Sequence, residues 1–162
     1  MKGDSPLFEH PKRHSGRAAA GSGDGILMSK RQNFYRNIRN RQDVDPDGVF
    51  DLIAHGTPSY IQVDHNGKSY DIDWRSAKRL IERMPGYKKG QPIRLLSCNT
   101  GSGSLSFAQN LANKMNVVVY APNNILWAWP RGDHAVLGSK GGRPDRNQPG
   151  DFVKFVPGGN KK

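Results

Sequence analysis

The apolar positions of this chain fall into short, well-separated runs whose periods alternate between those of strands and helices. Residues 49–54 are nearly all apolar, as expected of a strand covered on both faces. Segments 60–65 and 68–72 alternate, and Asn66-Gly67 between them is the dipeptide that best tolerates positive φ at both turn positions, so they predict a hairpin. Asp73 can cap a helix from Trp74 to about Met84, with Trp74, Ala77, Leu80, Ile81 and Met84 on one face and Pro85-Gly86 ending it. A strand over 93–98 follows, then a Gly/Ser-rich turn over 99–103. A second amphipathic helix is expected to turn Leu105, Ala108, Leu111, Ala112 and Met115 inward, ahead of a buried strand over 117–120.

The remaining segments are less patterned. Residues 26–28 form a brief apolar run, and 29–42 are basic with Phe34, Tyr35 and Ile38 near helical spacing, which fits a short amphipathic helix or an extended basic arm. Beyond Trp129 the chain loosens into Gly, Pro and Arg until a final short strand over 151–156, expected to close an edge. The order strand, hairpin, helix, strand, helix, strand predicts an α/β fold with a mostly parallel sheet flanked by helices and an inserted β-hairpin. Residues 1–25 lack apolar periodicity and read as a flexible linker or tail, 26–157 as one domain and 158–162 as a basic tail.

Composition narrows the function. No stretch of about 18 apolar residues could span a membrane, and no charged-then-apolar leader opens the chain. The 25 Lys and Arg against 14 Asp and Glu give a net charge of +11, a field that attracts nucleic acid or acidic proteins. One cysteine makes neither an internal disulfide nor a structural zinc site, so Cys98 is either packed filler or a reactive thiol. Asp133-His134, His10 and His14 lack metal-ligand spacing, Gly101 and Gly103 are not followed by a phosphate-loop ending, and His65 beside the turn reads as exposed; no cofactor or metal is expected.

Two apolar runs end on chemistry. Residues 50–56 deliver His55 followed by Gly56, and 93–98 deliver Cys98, at the carboxyl ends where open α/β sheets gather reactive groups. A thiol, a base matched to neutral pH and a glycine amide form the minimum set for a cysteine nucleophile. In that scheme Cys98 attacks a carbonyl carbon, His55 moves the proton, and the N–H groups of Gly56 and Cys98 face the oxyanion. Each residue alone has a plainer reading, the cysteine as a small hydrophobe and the histidine as a turn residue. Their coincidence at equivalent strand ends favours the dyad.

The pattern of an apolar strand ending His-Gly, a polar interval and an apolar strand ending Ser-Cys resembles the caspase-like cysteine peptidases. Residues 95–101, 107–112 and 119–122 also resemble C-terminal toxin domains of bacterial polymorphic effectors, including those on Rhs-type carriers. The resemblance covers roughly residues 48–130. It implies a caspase-like catalytic domain, a His55/Cys98 dyad, a protein substrate in a recipient cell, an acidic immunity protein and a carrier polypeptide. It also implies secretion or delivery into the recipient cytoplasm, and the Met1 start with a Gly/Ser segment fits a tip detached from a carrier. In such enzymes the stretch after the next strand lines the substrate pocket, which points to Asn123, Asn124, Trp127 and Trp129; the tryptophans read equally well as core. The strand expected ahead of the His strand has only residues 26–28 to represent it. The rival readings are a nucleic-acid-directed toxin using Phe34, Tyr35 and the cations over 30–41, a thiol acyltransferase or hydrolase on the same fold, and an inactive binding module in which Cys98 is buried and unreactive.

Overall fold

The computed structural model describes residues 24–45 and 47–158. Its centre is a five-stranded sheet built from β1 (Asp24–Ile26), β2 (Phe50–Ile53), β6 (Ile93–Leu96), β7 (Val119–Pro122) and β11 (Phe152–Phe155), in that spatial order. The first four strands run parallel and β11 lies antiparallel on the β7 edge. The chain is therefore mixed α/β with a mostly parallel central sheet. Between β1 and β2 comes α1 (Asn33–Ile38). Between β2 and β6 come β3 (His55–Gly56), β4 (Ile61–His65), β5 (Lys68–Ile72) and α2 (Trp74–Glu82); α3 (Phe107–Met115) joins β6 to β7. After β7, β8 (Ile125–Ala128), β9 (His134–Lys140) and β10 (Arg143–Pro149) form an antiparallel meander before β11.

Alternation along the central strands sorts their side chains onto two faces. Phe50, Leu52, Ile93, Leu95, Val119 and Ala121 pack under α2 and α3. Ile53, Leu96 and Phe152 point the other way, where Met28, Tyr35 and Ile38 around α1, Leu126 of β8 and Val136 of β9 cover them. Being covered on both sides explains why β2 and β6 read as nearly unbroken apolar runs. The hairpin forms as expected, with Asn66 and Gly67 at φ of 51° and 77°. Asp73 caps α2 by accepting from the N–H groups of Arg75 and Ser76, and Ser106 caps α3 through Gln109.

Three expectations change. Leu105 precedes the Ser106 cap and is 64% exposed rather than inward, because the helix starts after it. The stretch beyond Trp129 is not loose but forms β9 and β10; β10 escapes a pattern search because it is an edge strand with a bulge, largely exposed, where prolines are tolerated. The central sheet already begins at Asp24, inside the segment read as tail. The rest of that segment, 1–23, and residues 159–162 lie outside the described residues. No described helix is long and apolar enough to cross a membrane.

Candidate active site

The register of β2 on β6 brings together the strand ends that lead into the two candidate residues. Phe50 pairs with Ile93 and Ile53 with Leu96, and Ala54 continues the ladder by donating to the Leu96 carbonyl at 3.3 Å. There the ladder stops: β6 ends at Leu96, and Cys98 lies in the turn that follows, two residues beyond it, as His55 lies two residues beyond Ile53. Cys98 packs against the cluster that contains Ile53 and Leu96. At His55 the chain leaves the central sheet, because His55 and Gly56 pair instead with Gln62 and Ile61 of β4.

Gly56 lies hard against the turn that follows β6. A Cβ there would stand 2.6 Å from Thr100 Cγ2, 2.9 Å from the Cys98 carbonyl oxygen and 3.0 Å from Ser97 Cβ, so only glycine fits. The Thr57 N–H donates to Tyr60 O at 2.9 Å, and antiparallel alternation then turns the Gly56 N–H away from β4. The Cys98 N–H has no acceptor among the described residues. Both amides assigned to an oxyanion from the sequence are thus outside the neighbouring hydrogen-bond ladders.

The Cys98 sulfur sits beneath β8. It accepts from the Leu126 N–H at 3.4 Å, and the thiol faces the Leu126 carbonyl at 3.9 Å. Burial pushes the thiol above its ordinary range, with the Leu126 N–H pulling the other way. At neutral pH the resting group is therefore a protonated thiol that needs a base during attack, not a preformed thiolate. The His55 ring has Nε2 at 2.7 Å from Gln32 Oε1. Among the described residues the thiol's hydrogen bonds go to Leu126 and the imidazole's to Gln32, and none joins the two.

The four residues proposed as pocket lining sit on and beside β8, whose Leu126 backbone touches the sulfur. The turn after Cys98, which passes through Asn99 at φ 61°, is tied to their segment: the Asn99 N–H donates to Asn124 O (3.0 Å), Gly101 N–H to Pro122 O (2.8 Å) and Ser102 Oγ to Asn123 O (2.8 Å). Their side chains are partly committed elsewhere. Asn123 Oδ1 accepts from Asp151 N–H (2.8 Å), Asn124 Oδ1 from Ile125 N–H (2.9 Å), and the Trp127 indole N–H donates to Leu137 O (2.9 Å). Half-buried Trp129 carries the Arg146 guanidinium 5.6 Å from its ring centre. The Asn123, Asn124 and Trp127 hydrogen bonds are thus spent within and around β8, and only the Leu126 backbone of this segment meets the sulfur.

The basic stretch before β2 is less available than its sequence suggests. Tyr35 is 1% exposed and Arg41 fully buried, so neither aromatic stacking by Tyr35 nor phosphate contact by Arg41 is open. Arg41 instead joins a buried charge network that sequence reading missed. Its Nη2 lies 2.8 Å from Asp51 Oδ2, while Arg94 reaches Asp51 and, at 2.8 Å, Asp43. His134 Nε2 also meets Asp43 Oδ2 at 2.9 Å. The available signal was one acidic and one basic residue, Asp51 and Arg94, at the same offset within two apolar runs. Gln32 was missed as well, a polar residue inside a charged segment with nothing local to mark it.

A family described as "Domain of unknown function (DUF8616)" matches residues 24–136. The uncharacterized protein YibJ of Escherichia coli (strain K12) is 35% identical over 66 residues, covering 41% of this chain and 27% of that protein. The chain thus spans about a quarter of that relative's length. No solved structure matches.

Proposed function

This chain belongs to the DUF8616 family, and for it we propose a cysteine endopeptidase of caspase-like architecture that uses Cys98 as nucleophile and His55 as general base and acid. The supporting observation is the β2–β6 pairing, which leaves His55 and Cys98 each two residues past the last paired residues, Ile53 and Leu96, of neighbouring parallel strands. As Cys98 attacks the peptide carbonyl carbon, His55 takes the thiol proton; the Cys98 and Gly56 N–H groups receive the oxyanion. Collapse expels the amine with the proton from His55 and leaves a thioester. Water activated by His55 then hydrolyses the thioester and restores the thiol. The raised thiol makes the base obligatory, since no resting thiolate is available.

The resemblance of residues 95–101, 107–112 and 119–122 to polymorphic toxin domains supports a biological setting. In this reading the domain travels on a carrier, cuts a protein inside a recipient cell and is held in check by an acidic immunity protein. The net charge of +11 suits such a partner by electrostatic steering. The test is mass spectrometry of new protein N-termini after the folded protein is incubated with a bacterial lysate. Cleavages made by wild type and lost in both Cys98→Ala and His55→Ala support the proposal. Cleavages that persist in Cys98→Ala overturn it, and Cys98-dependent modification without chain cleavage moves the chemistry to acyl transfer.

A second reading, a nucleic-acid-directed toxin, draws on the same net charge. Lys30, Arg31 and Arg36 remain exposed beside α1. Steeply salt-dependent nucleic-acid binding, or nucleic-acid cleavage surviving Cys98→Ala, is its signature.

A further inference from the structure

We infer that Gln32 is the positioning residue for His55, with Asp64 holding Gln32 in the orientation that fixes the imidazole tautomer. The inference rests on the dyad proposed above and supplies the third member that the strand-end motifs do not contain. Three separate elements meet behind the imidazole: Gln32 from the β1–α1 connection, His55 from β3 and Asp64 from β4.

The hydrogen bonds form a directional chain. Gln32 Oε1 lies 2.7 Å from His55 Nε2, and Gln32 Nε2 lies 3.4 Å from Asp64 Oδ2. An amide presents an acceptor on one side and a donor on the other, whereas an ionised carboxylate only accepts. Asp64 therefore draws the NH2 end of Gln32 toward itself, which turns the carbonyl end to His55. A carbonyl oxygen cannot donate, so the ring nitrogen it meets must carry the proton. His55 is thereby held as the Nε2–H tautomer, with its lone pair on Nδ1.

Asp64 is itself firmly set. Its Oδ1 accepts from Ser69 Oγ at 2.6 Å and its Oδ2 from the Ser29 N–H at 2.9 Å, while its own N–H donates to Leu27 O at 2.8 Å. These donors keep the carboxyl below its ordinary range, Ser69 foremost and Ser29 next, with a smaller contribution from His55. The carboxylate thus stays ionised at neutral pH and keeps its hold on the Gln32 NH2 while Nδ1 accepts the Cys98 proton. Throughout that transfer the Nε2 proton stays on its bond to Gln32. The chain does no chemistry; it determines which nitrogen is free.

The test is long-range ¹H–¹⁵N correlation spectroscopy of the folded, histidine-labelled full chain at a pH where His55 is neutral, with His55→Ala giving the assignment. The expected wild-type spectrum has Nε2 protonated and Nδ1 unprotonated. Gln32→Ala is expected to convert this to a mixture of tautomers and to lower kcat, with KM unchanged, by about a hundredfold or more, the scale of general-base catalysis. Gln32→Glu, which keeps an acceptor at the same reach, should retain the Nε2–H form. A merely structural role for Gln32 would lower the melting temperature and leave the tautomer of the folded protein alone. A wild-type His55 protonated at Nδ1, or an unchanged tautomer in Gln32→Ala, overturns the inference. If Gln32→Ala does not fold, the wild-type and Gln32→Glu spectra decide. Proteolysis that survives Cys98→Ala sinks the peptidase and leaves the tautomer result to stand or fall by itself.

Discussion

Asp51 on β2 and Arg94 on β6 face each other in register, each four residues ahead of the side chain its strand delivers, joined by hydrogen bonds of 2.8 and 2.7 Å. A one-step slip would part this pair and shift the strand ends that lead into His55 and Cys98. The ion pair is thus a register lock for the site. Both side chains are buried, so breaking the pair leaves an uncompensated charge in the core. Arg94→Met is expected to destabilise the fold by about 3–5 kcal/mol in urea unfolding. A double-mutant cycle with Asp51→Asn should show coupling of about 0.5–3 kcal/mol; strict additivity would remove the lock.

Asp43 gives the fold an acid limit. Burial opposes its charge, but the Arg94 guanidinium and His134 overcome this and hold the carboxyl far below the carboxylate range. A folded-state pKa depressed in this way contributes stability above the unfolded value of about 4 and loses it as the pH falls below that. Unfolding free energy should therefore decline from about pH 4 downward. Asp43→Asn should be less stable at neutral pH and show a shallower decline, measured by denaturant titration at several pH values.

Gly56 is expected to tolerate no side chain. Gly56→Ala sets a methyl against Thr100, Ser97 and the Cys98 carbonyl. The strain should cost about 1–3 kcal/mol, as overpacking does, and should abolish Cys98-dependent cleavage in protein that remains folded. Full cleavage by Gly56→Ala would show that the gap between the two strand ends is dispensable.

Cys98 should react slowly at rest. With the thiol raised by burial, alkylation by neutral iodoacetamide should be slow at pH 7 and climb only above the ordinary thiol range near about 8.5. The same shift means stability present below the unfolded thiol value and lost as the pH rises through the folded one. Fast labelling at pH 6, read by intact-mass spectrometry, would indicate a preformed thiolate instead.

The sequence made the central strands, the hairpin and the capped helix α2 legible because each carries its own local signal: apolar runs, Asn66-Gly67, and Asp73 ahead of a 3.6-residue stripe. It marked His55 and Cys98 as candidates, but β2 ends at Ile53 and β6 at Leu96, so each lies just past its central strand rather than at its last residue. The meander was not legible because β10 has no alternation of its own and is held by β9, a tertiary effect. Nor was Leu105, which sits at helical spacing but ahead of the Ser106 cap. Gln32 and the Arg41–Asp51–Arg94–Asp43 network depend on residues brought together from several elements. Polar residues of that kind announce themselves only once their partners are in place.

The last strand carries a practical lesson for anyone cloning this domain. β11 covers the outer edge of β7, places Phe152 at an edge-to-face angle to His134 and receives the Arg94 guanidinium 5.8 Å from its ring centre. The stretch matched by the family ends at Val136, partway along β9. A fragment trimmed to that boundary would present β7 as a bare, sticky margin and strip the aromatic lid from the buried charges, inviting aggregation. Expression should therefore run past Phe155.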